Sequence, residues 1–373
     1  MVEPVSMLLS FILKILRVPF IGILISLLTY GSMTLANAEA AFLTENRSFT
    51  CHDFLTQGGR VNKNIDLPVR FSTSIGALTL IASMSSDRNL LYRARFIGDQ
   101  RPDVILKVLA PFSFDVLDDE QAAQGYEYVE KSGLKDELEF YPEPILIEVG
   151  GSMVHHTRKA YVSIEGEDDL KSLAGKLATL SEPKRKIETL KVVHQLLIDI
   201  LRELKSLAAV GLNHNDIKPA NILLHAGRYG LIDFDTARPA GKSLASYTPA
   251  YVAQELAINH KSDSYSDLYS LGKTLFFILL NDEPIHQYQK AVRSDAGLYY
   301  KFNSIKLDQF LDSYEHELKM FLPEQKEAYL QFEDVREFIR AATIQDQLRR
   351  GYELRKTTEN TYFGPLLRDI LPR

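Results

Sequence analysis

Two neighbouring stretches of this sequence hold the residues best suited to chemistry. His214-Asn215-Asp216-Ile217-Lys218-Pro219-Ala220-Asn221-Ile222-Leu223 puts a carboxylate, an amine and an amide on one short loop. Leu231-Ile232-Asp233-Phe234-Asp235 then supplies further carboxylates. A divalent cation bound to phosphates needs hard oxygen ligands, which Asp233 and Asn221 can supply. A hydroxyl attacking a phosphoryl group needs a carboxylate to orient it and take its proton, and Asp216 is placed for that. Lys218 can neutralise charge on the transferred group. Together they suit Mg-nucleotide chemistry.

Such a loop must be held by regular elements. A helix is expected over 183–210, where Ile187, Leu190, Val193, Leu197, Ile198, Leu201, Leu204 and Leu207 recur near the helical period. That stripe is core packing, and it holds the loop at the helix's C-terminal end. A shorter helix is expected over 168–180. Upstream, 77–84, 90–96 and 103–109 read as strands, 118–131 as a helix, and 144–149 and 159–164 as two more strands.

The loop resembles the catalytic loop of protein kinases, and Asp233-Phe234-Asp235 resembles their metal-binding motif with Asp in place of the last Gly. The resemblance implies an α+β, two-lobed fold, with a small β-rich N-lobe over 75–164 and a larger helical C-lobe over 167–345. It also implies ATP with Mg or Mn, and a protein substrate whose identity stays open. Lys107, which alone would read as a surface lysine on an edge strand, resembles the strand lysine that meets the nucleotide phosphates. Its partner would be a helix glutamate: Glu120, Glu127 and Glu130 are candidates, and Glu127 is taken from the later part of the helix. Ile164-Glu165-Gly166 resembles the hinge. His214 becomes a structural residue tying the loop to the metal motif. Asn215 stands where many kinases have arginine, which implies little need for activation-segment phosphorylation. Tyr247-Thr248-Pro249-Ala250-Tyr251-Val252-Ala253-Gln254-Glu255 resembles the end of a serine/threonine kinase activation segment, and Thr248 with Lys218 implies serine or threonine as acceptor. Asp267 matches the acid that braces the catalytic loop, and Arg349 or Arg350 would pair with Glu255. One stretch departs from the pattern. Ser83-Met84-Ser85-Ser86-Asp87-Arg88-Asn89 has no glycine where the phosphate-covering loop is expected, so Ser85 and Ser86 hydroxyls would have to substitute for close backbone approach.

Composition bounds the rest. A chain of 373 residues, 45% hydrophobic and 25% charged, is ordinary for a globular protein. A net charge of −6 suggests no broad nucleic-acid surface. The single cysteine, Cys51, excludes an internal disulfide and reads as a small, partly buried residue. Residues 1–38 read as a secretory signal peptide: Lys14 and Arg17 precede an apolar run, and Ala36-Asn37-Ala38 is a small-x-small cleavage pattern. The alternative is an uncleaved anchor through residues 7–35. Either way the kinase-like part is expected outside the cytoplasm, exported or tethered. Asn46-Arg47-Ser48 has the form of a glycosylation acceptor. Residues 39–74 read as an N-terminal extension, 75–345 as the kinase-like domain and 346–373 as a basic tail. Three functions fit: a serine/threonine protein kinase, a pseudokinase that binds or scaffolds, and a kinase-fold enzyme acting on a small molecule.

Overall fold

The computed structural model describes residues 69–84, 90–98, 102–108, 116–150, 155–166, 168–244, 246–280, 304–321, 324 and 326–372. The expected leader or anchor, Asn46-Arg47-Ser48, Cys51, Ser85 and Ser86 lie outside them. Strands come first: β1 (Val69–Thr73), β2 (Gly76–Met84), β3 (Leu90–Phe96) and β4 (Val104–Val108). Helix α1 (Val116–Ser132) separates them from β5 (Glu143–Gly150) and β6 (His155–Ile164). Leu78 and Leu80 on β2, Tyr92, Ala94 and Phe96 on β3, and Val104 and Leu106 on β4 are all buried. Every second residue turning inward is the mark of strands covered on one face.

The described residues fall into two compact units. One lies within Met1–Ser83, Ala94–Arg101 and Leu146–Arg158; the other lies within Met84–Arg93, Pro102–Ile145 and Lys159–Arg373. In the first, β1 and β2 form an antiparallel hairpin with Thr73 opposite Gly76 and Val69 opposite Leu80. Thr73 Oγ1 donates to the Gly76 carbonyl at 2.6 Å and accepts from Ile75 N–H at 3.2 Å, which fixes the tight turn. Gly76 turns with φ 131°, a value that favours glycine. This hairpin corrects the reading of 39–74 as an extension. Its last residues, Val69–Thr73, are a strand paired with β2, and they went unseen because a five-residue strand at the edge of a featureless stretch carries little periodicity.

In the second unit β4 and β6 run antiparallel with Lys107 opposite Tyr161. The chain continues through β7 (Asp168–Asp169), α2 (Leu170–Ala178), α3 (Glu182–Ala209), β8 (Leu212–Asn213), β9 (Ile222–His225), β10 (Arg228–Leu231) and β11 (Arg238–Pro239). It closes with α4 (Gln254–Asn259), α5 (Ser264–Leu280), α6 (Ser304–Phe321), α7 (Lys326–Ala342), α8 (Gln347–Thr357) and α9 (Gly364–Ile370). The apolar stripe of α3 is buried as the spacing predicts, and α5, α7 and α9 pack against this helix. α5 is buried nearly along its length: residues 275–280 are wholly apolar, while the first turns bury Ser266, Asp267, Ser270, Lys273 and Thr274 among apolar neighbours. The expected tail at 346–373 is instead α8 and α9, with Leu354, Phe363, Leu367 and Ile370 in the main core. Its basic residues hid those few apolar anchors. Among the described residues no helix is long and apolar enough to cross a membrane.

Two buried acids on α3 hold the strand that leads to Asp233. Tyr229 N–H donates to Asp199 at 3.1 Å and Leu231 N–H donates to Glu203 at 2.7 Å. The helix thus supplies partners that β10, an edge strand of the three-stranded sheet β10–β9–β7, leaves unmet on its outer side.

Candidate active site

The catalytic loop runs from β8 to β9 and is tied down from below. Asp267, near the start of α5, accepts the backbone N–H groups of His214 and Asn215, both at 2.7 Å. Two donors inside the protein therefore find one carboxylate, which fixes the loop's path. Burial pushes the Asp267 carboxyl up to about 7 although both N–H bonds pull the other way. Asn215 takes the left-handed backbone, φ 68°, which Asn tolerates better than most side chains. Its Nδ2 donates to the carbonyls of Asn213 and Thr236, both at 3.0 Å. Asp216 N–H donates to His214 Nδ1 at 3.3 Å, so Nε2 carries the ring proton and donates to the Ile232 carbonyl at 3.1 Å. Burial lowers the His214 pKa, consistent with this neutral form. His214 thereby joins the catalytic loop to the residue before Asp233.

Two side chains then converge on Asp216. Lys218 Nζ donates to Oδ2 at 2.7 Å, and Asn221 Nδ2 donates to Oδ2 at 3.0 Å and to the Asp216 carbonyl at 2.9 Å. Asp216 Oδ1 is buried and has no hydrogen-bond partner among the described residues. Lys218 also donates to Thr248 Oγ1 at 3.0 Å, so the catalytic loop and the activation segment share one ammonium.

The lysine end is arranged differently. Lys107 Nζ meets Asp233 Oδ1, Asp235 Oδ1 at 2.7 Å and Tyr126 Oη at 3.3 Å. Burial opposes its charge, but Asp233, Tyr126 and Asp235 outweigh burial and hold its pKa well above the ordinary lysine value. Burial opposes the Asp233 charge too, and Lys107 overcomes it, keeping that carboxyl below its usual range. The expected Lys107–Glu127 pair does not form. On α1, Tyr126 and Val129 turn inward, while Glu127 lies about 100° further round and binds Lys131 one turn on, at 2.9 Å. Glu130 accepts from Tyr161 Oη at 3.4 Å. Among the expected hinge residues, Ile164 ends β6 opposite Val104, and Glu165 accepts from Arg93 Nε at 2.9 Å.

The activation segment is short and held by main-chain bonds. Arg238 pairs with Asn213 across β8–β11, and Leu244 N–H donates to the His260 carbonyl at 2.9 Å. Gly241 and Lys242 exchange bonds with Ser262. Of the two candidate partners for Glu255, it is Arg350, wholly buried, that pairs with it through both Nη atoms.

The residues that sequence reasoning missed are Tyr126, Asp235 and Gly125. A Cβ on Gly125 would stand 2.2 Å from the Phe234 carbonyl oxygen, so only glycine lets α1 lie directly on the metal motif. Asp235 was visible as the departure from the motif, but nothing in the sequence aims it at Lys107.

The donor set suits a phosphate-bound divalent ion. Asn221 commits its NH₂ to Asp216, which leaves its amide oxygen, and Asp233 keeps one oxygen beyond the one on Lys107. Among the described residues no group of three or more His, Cys, Asp or Glu could hold a metal alone.

Comparison with known proteins agrees with this geometry. A segment is 37% identical over 126 residues to human cyclin-dependent kinase 11A, covering 32% of this chain and 15% of that one. Another is 35% identical over 103 residues to the serine/threonine-protein kinase AfsK of Streptomyces griseus, covering 26% and 13%. A third is 39% identical over 105 residues to serine/threonine-protein kinase C of a Synechocystis strain, covering 25% and 19%. The matches thus span under a fifth of each of these relatives. A solved structure of the ROP18 kinase domain in complex with AMP-PNP and sucrose superposes with a TM-score of 0.52 at 17% identity, covering 82% of this chain and 85% of that one. The fold is protein-kinase-like, with a small antiparallel-sheet lobe and a helical lobe. The protein kinase domain model matches residues 154–351, more than half of the sequence, and this chain belongs to the protein kinase family.

Proposed function

We propose that this protein transfers the γ-phosphoryl group of ATP, bound with Mg or Mn, to serine or threonine of a protein substrate. The observation that carries the reading is the Asp216 carboxylate. Lys218 and Asn221 fix one of its oxygens, and the other is a buried acceptor with no partner among the described residues, a state that costs about 1–3 kcal/mol unless it is used. In this reading Asp216 Oδ1 orients the acceptor hydroxyl and takes its proton. Lys218 holds Asp216 and Thr248 in register and neutralises charge on the transferred group. Asn221 and Asp233 would hold the divalent ion, which neutralises phosphate charge. Lys107 positions the phosphates, and backbone at Ile164, Glu165 and Gly166 faces the base. The hydroxyls of Ser85 and Ser86 take the place of a glycine loop. Thr248 beside Lys218 favours a hydroxyl acceptor of the serine or threonine kind. With Asn215 binding two carbonyls where an arginine would await a phosphate, activity does not depend on activation-segment phosphorylation. Residues 1–38 direct the protein out of the cytoplasm, cleaved as a leader or kept as an anchor.

Incubating the purified full chain with labelled ATP and Mg or Mn tests this, beside Asp216→Asn and Asp233→Ala. Label on the parent or on a generic basic protein, absent from both variants and mapped to serine or threonine, is the expected outcome. A parent that takes no label and gains no thermal stability from Mg-ATP would instead fit the pseudokinase reading, which the glycine-free stretch and Asp235 favour. Label on tyrosine would overturn the acceptor assignment. Comparing the mass of the cellular protein with that of the 373-residue chain tests the leader.

A further inference from the structure

Among the described residues Lys107 lies beside two carboxylates, and neither comes from helix α1. One is Asp233, which the proposed reading assigns to the divalent ion. The other is Asp235. The helix instead presents Tyr126, a neutral phenol stacked on Tyr161 with ring centroids 3.8 Å apart. Its nearby acids are turned to other partners, Glu127 to Lys131 and Glu130 to Tyr161.

A buried ammonium stripped of its counter-charge is strongly unfavourable. Once Asp233 takes a metal ion, its oxygens are shared, and Lys107 needs a second anion. We propose that Asp235 is that anion: a positioning residue that anchors Lys107 for the nucleotide phosphates in place of a helix glutamate. The inference rests on the nucleotide-binding part of the proposed function.

The local backbone permits the role. Asp235 sits in the short 3-10 turn Phe234–Thr236, and among the described residues it is not one of those with positive φ, so an aspartate there costs no strain. Arg238 Nη1 donates to the Asp235 carbonyl at 2.9 Å and fixes the turn. On its other side the turn is pressed against Gly125, where a Cβ would stand 2.3 Å from the Asp235 carbonyl oxygen. The Asp235 side chain is thus aimed by main-chain contacts, and lysine and anchor sit on β4 and on the metal motif. The pairing needs no carboxylate from α1.

The experiment compares Asp235→Asn, Asp235→Gly and Asp235→Glu with the parent full chain, measuring the affinity for AMP-PNP with Mg by calorimetry. Asn and Gly variants are expected to bind at least about tenfold more weakly, and Glu within about threefold of the parent. Either neutral variant serves if the other fails to fold. A separate cycle uses the nucleotide-free protein: Lys107→Met, Asp235→Asn and the double variant, compared by urea unfolding. Non-additive changes are expected if the two side chains pair. Parent-like affinity in the neutral variants, or equal weakening by Glu and Asn, overturns the proposal. So does an additive cycle. A parent that binds no nucleotide refutes the phosphoryl-transfer reading, and the cycle then still decides whether Asp235 holds Lys107.

Discussion

Asp216 and Lys107 are both half-buried charged groups at one candidate site, and they are secured in opposite ways. The loop that carries Asp216 is held by backbone donors converging on Asp267, an acid far along the chain with no cation among the partners that set its pKa. Lys107 is held by direct charge pairing with Asp233 and Asp235. The loop departs from the family's pattern at Asn215, where many kinases have arginine, whereas the lysine's neighbourhood departs from it at Asp235, and Tyr126 rather than Glu127 is turned to Lys107. The contrast teaches where a kinase-like site tolerates change. Main-chain bonding depends on the position of every donor at once, while a single ion pair can be supplied from another residue within reach.

The largest expected effect breaks the loop side. Asp267→Ala leaves the buried N–H groups of His214 and Asn215 without an acceptor, and should cost about 4 kcal/mol in urea unfolding and abolish phosphoryl transfer. A loss below about 1 kcal/mol would show that the loop has another anchor.

Titration separates the two regions next. The Asp267 carboxyl is pushed up to about 7 by burial, and that of Glu203 to about 8 for the same reason. A raised value means that the folded state holds the proton more tightly. The stability it contributes is therefore full below the unfolded values near 4 and is lost as pH rises through 7 and 8. Denaturation should show a fall on the order of 7 kcal/mol between about pH 5 and about pH 9. The Lys107–Asp233 pair stays charged across that range, because Asp233 is lowered and Lys107 raised. A flat profile would mean that both buried acids are already ionised at neutral pH.

Smaller changes sharpen the lysine side. Gly125→Ala forces α1 off the Phe234 and Asp235 carbonyls and should cost about 2 kcal/mol, with weaker Mg-nucleotide binding. Unchanged binding would show that the helix does not support the metal motif. Glu127→Ala removes a half-exposed pair with Lys131, so it should shift stability by less than about 0.5 kcal/mol and leave nucleotide affinity alone. A large loss of affinity would restore Glu127 as the lysine's partner.

Sequence alone carried the catalytic loop, the metal motif, the end of the activation segment and the buried stripe of α3. These are runs of adjacent residues, or a single helical period, whose meaning is set by neighbours in the chain. Through the family resemblance it also proposed Asp267, and Arg349 or Arg350 as the partner of Glu255, between which the structure chose Arg350. Tertiary structure alone decided what Lys107 touches, because helix α1 carries acids at several registers and only packing against Tyr161 and the Phe234 turn turns Tyr126 inward. It likewise decided that Val69–Thr73 is a paired strand and that α8 and α9 belong to the core. The residues at these places are ordinary in type. Their roles arise from partners distant in sequence, and no local pattern records which distant group will fill the space.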